Sequence, residues 1–183
     1  MTYTTGAAQP SRTVVMAGFD APTRATATST MAKMAKDVRA SLPAPIVWEN
    51  ARKITAAVPQ RDELAQALAI RQWVQTRFHF WRDPVDTQLL TVPEYMLNWW
   101  QHHGYLPVDC ADAAELTSAL CMAIGMPCSL VAVAFNSPLA PFSHVFTIAT
   151  ARTPKGIAKV EMDVTRPAGV ARARFSRFRR LDI

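Results

Sequence analysis

The stretch Val108-Asp109-Cys110-Ala111-Asp112-Ala113-Ala114-Glu115-Leu116-Thr117-Ser118-Ala119-Leu120-Cys121-Met122-Ala123-Ile124-Gly125-Met126-Pro127 decides how this chain is read. Asp109 is a helix-capping residue type, because its short carboxylate can accept the first free backbone N–H groups. Cys110 is then the first helical residue, with Asp112 and Glu115 near the positive end of the helix dipole. Ala114, Leu116, Leu120 and Ile124 fit one buried face. Gly125 suits a left-handed cap and Pro127 stops the helix. Three extended runs follow, CSLVAVAF (128–135), HVFTIAT (144–150) and IAKVEMDV (157–164). The separators NSPLAPFS and ARTPKG carry the turn residues of an antiparallel meander. Helices first and strands last predict an α+β fold rather than a parallel α/β sheet.

Upstream, Ala, Met and Lys between Thr26 and Leu42 favour a helix, ended by Pro43 and Pro45. The segment PAPIVWENARKITAAVPQ (43–60) reads as a connector with at most a helical turn. In RDELAQALAIRQWVQTRF (61–78), Leu64, Leu68, Ile70, Trp73, Val74 and Phe78 recur at helical spacing and predict an amphipathic helix. FHFW (78–81) has the aromatic content of a short strand, with a turn at Asp83-Pro84. VPEYMLNWWQHHG (92–104) restarts a helix, Pro93 in its first turn and Gly104 at its stop. Residues 1–25 read as an N-terminal arm, or an edge strand at RTVVMAGF, that orders against a partner surface. The expected organisation is the arm, a domain over 26–168, and an Arg-rich C-terminal tail over 169–183.

The 183 residues are 50% hydrophobic and 19% charged, enough for one packed core and too apolar for a disordered chain. No run approaches the ~18 apolar residues of a membrane span. The N-terminus lacks the pattern of a secretory signal, so a cytoplasmic location is expected. Of the net charge of +6, much lies in Arg172, Arg174, Arg177, Arg179 and Arg180. That tail reads as solvated or as docking a protein partner, with a nucleic-acid contact the weaker reading. Three cysteines, Cys110, Cys121 and Cys128, are an odd number and make no disulfide framework. There is no CxxC pair, and Cys110 and Cys121 on one helix would lie about 16 Å apart. His102 and His103, being adjacent, point different ways. No metal site and no cofactor are expected.

Chemistry collects at the element ends. Cys110 opens a helix, His144 opens a strand, and Asp163 closes the next one. If those two strands form a hairpin, His144 and Asp163 become neighbours, and a helix packed across the sheet brings Cys110 to them. A thiol attacks as thiolate; a helix N-terminus and an imidazolium both favour that anion and are expected to lower its pKa. The imidazole protonates the leaving amine, and a carboxylate on its far nitrogen holds the tautomer. Each residue also has a plainer reading taken singly: a small core cysteine, a packed histidine, a turn-forming aspartate. Cys121 and Cys128 are read as core thiols. The acidic company of Asp109 and Asp112 sets Cys110 apart from them.

The segments VPEYMLNWWQHHGYLPVDCADAAELTSALCMAIGMPCSLVAVAF, FSHVFTIA and VEMDVTRP together resemble the transglutaminase-like superfamily of papain-type thiol enzymes, over roughly Leu64 to Pro167. WRDPVDTQLLTVPEYML resembles the segment before the nucleophile in small bacterial and phage-encoded members. The resemblance implies a nucleophile helix packed on a small antiparallel sheet, with additional N-terminal helices. It carries catalytic roles to Cys110, His144 and Asp163. The glycine that the family places before Asp-Cys is Val108 here, and the acidic residue that often follows the Cys is Ala111. An oxyanion formed at the site is expected to meet the Cys110 backbone N–H. Gln88, by its family-like position, or Trp81, by its indole N–H, would supply a second donor. No calcium loop of the animal enzymes is present.

The expected function is cysteine-dependent acyl transfer on amide bonds of a protein or peptide, as peptidase, amidase or transglutaminase, through a thioester. The competing expectation is a structural or assembly component, of a phage particle or another complex, that keeps the fold and grips its neighbours through the arm and the tail. It would be virion-associated in that case.

Overall fold

The computed structural model describes residues 13–15, 24–83, 88–135, 137–166 and 174–183. Helix α1 spans Arg24–Ser41 and α2 Pro45–Thr55. The second was expected as a connector and is a full helix. Its flanking prolines suggest a loop, but Pro45 sits at the first helical turn, where a missing N–H costs nothing. Val47, Asn50, Ala51 and Thr55 then bury one face at helical spacing.

Helix α3 (Glu63–Arg77) starts at Asp62, whose side chain accepts the Ala65 N–H. Its buried stripe is Gln66, Ala67, Ile70 and Val74, whereas Leu64 and Leu68, expected inside, are exposed. Strand β2 (Phe78–Phe80) follows at once, as its aromatic content predicts. The Asp83-Pro84 turn runs into residues outside the described ones. Strand β1 (Thr13–Val15) pairs antiparallel with β3 (Gln88–Leu90), so this part of the arm is an edge strand. The rest of residues 1–23 lies outside the described residues.

Helix α4 (Pro93–His103) stops at Gly104, which takes the left-handed φ of 78° that favours glycine. Strand β4 (Leu106–Val108) pairs parallel with β2 and delivers the chain to α5 (Cys110–Ala123). α5 is the central helix. The expectation of one buried face falls short, because every residue from Ala111 to Cys121 is buried. The helix packs against a sheet while the other helices enclose it, with Leu116, Leu120, Met96, Leu97, Ile70 and Val47 in one core cluster. Side chains of that size each contribute about 1.5–3 kcal/mol when fully buried.

The sheet contains β5 (Cys128–Ala134), β6 (His144–Thr153) and β7 (Gly156–Glu161), the expected meander. It has a fourth strand, β8 (Arg177–Asp182), in the order β7-β6-β5-β8, all antiparallel. This corrects the reading of 169–183 as a solvated tail, whose residues 169–173 are outside the described ones. Residues 177–182 alternate half-buried and exposed, with Arg177, Arg179 and Leu181 on the covered side. The Arg177 guanidinium donates to the Ala140 carbonyl and lies 4.3 Å from the Phe142 ring centre, and Arg180 pairs with Asp182. No helix among the described residues is long and apolar enough to cross a membrane.

Among the described residues the fold is therefore mixed α+β, with five helices and a small antiparallel sheet.

Candidate active site

Local rules set the start of α5. Asp109 is extended and its Oδ1 accepts the N–H groups of Ala111 at 2.8 Å and Asp112 at 3.0 Å. The cap therefore leaves the Cys110 N–H unspent, and that N–H lies against its own sulfur. Gln88 donates from Nε2 to Asp109 Oδ2 at 2.8 Å and to Asp83 Oδ2 at 2.9 Å. Its amide hydrogens go to two carboxylates, so Gln88 positions the cap rather than facing an oxyanion. Trp81 is exposed on the rim, its backbone N–H on the Val108 carbonyl at 3.1 Å.

His144 opens β6, its ring between Phe135 and Phe146 with ring centres 6.2 and 6.0 Å away. Its Nε2 is 2.9 Å from Asp163 Oδ2. Asp163 follows β7 by two residues, and its Oδ1 accepts the Thr165 N–H at 3.1 Å and hydroxyl at 2.7 Å. Burial pushes the Asp163 carboxyl up. The bond and charge of His144, with both Thr165 donors, outweigh it and hold the group at about 2. An ionised carboxylate only accepts, so the proton between them sits on Nε2. Nδ1 of a neutral ring is then a free acceptor.

The start of β6 also lies near Cys110. The Thr147 carbonyl faces β7 and accepts the Met162 N–H at 2.8 Å. Val145, two residues earlier, faces the same side, where β7 has ended at Glu161. Its N–H, one residue from His144, lies near enough to the Cys110 sulfur to favour the thiolate, and the charge of Asp163 also reaches the thiol and disfavours it. Among the described residues no hydrogen bond joins that sulfur to the His144 ring.

The thiol itself departs from expectation. Burial first, then the Asp109 carboxylate, push Cys110 up to about 12, and the N–H groups of Val145 and Cys110 only partly counter them. The resting group is a neutral thiol, not the anion expected from a helix terminus and an imidazolium. The acidic company is also different in kind. Asp112 and Glu115 stand near the positive helix end as expected, yet both are fully buried. Asp112 Oδ1 accepts the Thr91 N–H at 2.8 Å, which ties the segment after β3 to α5. Cys121 and Cys128 are buried, while Cys110 is partly exposed.

Two participants were not foreseen. Thr165 was signalled by its spacing in Asp163-Val164-Thr165, a local pattern in which a hydroxyl serves a carboxylate two residues back. The Val145 N–H had no signal, because its freedom depends on where a neighbouring strand stops.

No family model and no curated protein matches the chain. Among solved structures it is similar to a proposed protease from Parabacteroides distasonis, with 14% identity and a TM-score of 0.46. The similarity covers 72% of this chain and 26% of that one, so the chain spans about a quarter of that protein.

Proposed function

We propose that this chain is a cysteine-dependent acyl-transfer enzyme acting on amide bonds, with a transglutaminase-like arrangement of Cys110, His144 and Asp163. One observation carries the reading: His144 and Asp163 pair at 2.9 Å, one residue from Val145, whose N–H favours the Cys110 thiolate.

The neutral thiol dictates the order of events. His144 Nδ1 takes the proton from Cys110 Sγ as the sulfur forms its bond to the carbonyl carbon. Asp163 stabilises the imidazolium so formed and keeps the ring oriented. Negative charge then develops on the carbonyl oxygen, for which the Cys110 N–H at the helix terminus is a donor. The imidazolium gives its proton to the leaving nitrogen, the C–N bond breaks, and a thioester remains. Water attacks the thioester in hydrolysis, an amine in transfer, and Cys110 regains its proton through His144.

The transfer reading is tested with p-nitrophenyl acetate and peptide mass spectrometry. Acetyl on Cys110, with release of p-nitrophenol and loss of both in Cys110→Ala, is the expected result. Acetylation of other residues with Cys110 untouched would overturn it. The assembly reading drew on the resemblance to phage-encoded members and on two termini suited to gripping neighbours, and residues 177–182 of the second terminus pair in the sheet.

A further inference from the structure

We infer that the free edge of β2 is the docking surface for the substrate, and that the substrate lies there as an extended polypeptide. This rests on the amide-directed reading above and adds the surface to it.

β2 and β4 form a two-stranded parallel sheet, pairing Phe78 with Leu106, His79 with Pro107 and Phe80 with Val108. The Trp81 N–H donates to the Val108 carbonyl. In a parallel ladder alternate residues face the partner, so His79 and Trp81 point their backbone groups to β4. The N–H and C=O of Phe80 therefore point outward, and no described residue bonds them. Phe80 is 60% and Trp81 51% exposed, so the edge is open as well as unpaired.

Position links this edge to the sulfur. β4 runs parallel to β2, and two residues beyond Val108 the chain reaches Cys110. A chain added beside β2 therefore lies two strand spacings, about 10 Å, from β4 and runs along the axis of the strand that leads to Cys110. The main-chain donor and acceptor of Phe80 suit another backbone, as in strand addition, and the exposed rings suit its side chains. His79 does not join them, because its ring is occupied by Tyr105 at 5.1 Å between centres. A glycan could stack on the rings, but it has no strand ladder to offer Phe80.

The experiment uses full-length Cys110→Ala protein and a fluorescein-labelled pool of randomised decapeptides, read by anisotropy, with soluble glycan strands as competitor. Phe80→Ala and Trp81→Ala are each expected to weaken binding about threefold or more, and Phe80→Pro about tenfold, some 1.4 kcal/mol. Proline removes the outward N–H and leaves the β4 ladder intact; circular dichroism of each variant confirms that the fold is kept. No detectable peptide binding, binding indifferent to all three variants, or displacement by glycan alone would each overturn the docking surface. Acetylation of Cys110 in the parent protein, measured separately, reports on the chemistry whatever the binding result.

Discussion

Two buried carboxyl groups near α5 have opposite fates. Asp163 receives His144 and both donors of Thr165, and it stays ionised down to about 2. Among the described residues nothing hydrogen-bonds either oxygen of Glu115, just past the first turn of α5. Burial, then the charges of Asp112, Asp37 and Asp109, raise it well above the ordinary carboxylate range, against only Lys33. Burial penalises ionisation in both. The difference is the supply of donors, and it separates a charged group that can orient a ring from a neutral acid that fills space.

Removing the charge at Asp163 is expected to have the largest effect. Asp163→Asn offers the ring an amide whose N–H can select the wrong tautomer. Turnover on any ester or amide substrate should fall on the order of 10²–10⁴-fold. Steady-state kinetics, with thermal melting as a check on the fold, measure it.

Glu115→Gln sharpens the other side. A carboxyl raised in the folded state binds its proton more tightly there than in the unfolded chain. Its contribution to stability therefore declines as pH rises above the unfolded value near 4.5. The glutamine variant loses that decline and is expected to gain stability over the parent at pH 8 and little at pH 4. Denaturant unfolding at both pH values tests this, and equal gains at the two would contradict it.

Thr165→Ala takes one donor, the hydroxyl, from Asp163 and leaves the backbone N–H, so it should bring the carboxyl part of the way toward Glu115. For a lowered carboxyl, stabilisation is complete above the unfolded value of 3.8 and disappears as pH falls through the folded value near 2. Losing the hydroxyl should raise the folded value, cost about 1 kcal/mol at neutral pH, and move the acid unfolding midpoint upward. Acid titration followed by circular dichroism reads both.

Much of the fold was legible because it follows from local chemistry. Asp109 caps, Gly104 takes a positive φ, and the Pro-bearing separators split a meander. The juxtaposition of His144 with Asp163 followed from hairpin geometry alone. What escaped depended on partners distant in sequence. Arg177–Asp182 is charged enough to read as a tail, and only its pairing with Ser129–Ala134 makes it a strand. Leu64 and Leu68 matched a helical period but stand off the face that buries Ala67, Ile70 and Val74. Pro43 and Pro45 hid α2. The protonation of Cys110 was misread because the helix terminus is visible in sequence, whereas enclosure of the sulfur and the carboxylate of Asp109 beside it are three-dimensional.

The most direct test of a neutral thiol served by His144 is the pH dependence of iodoacetamide labelling at each cysteine, resolved by peptide mass spectrometry. Cys110 should label at least about tenfold faster than buried Cys121 and Cys128. Its rate should level off well below the thiol's own ionisation near 12, and His144→Ala should abolish that plateau. Rates that climb together through pH 10 in parent and variant, with no lead for Cys110, would contradict it.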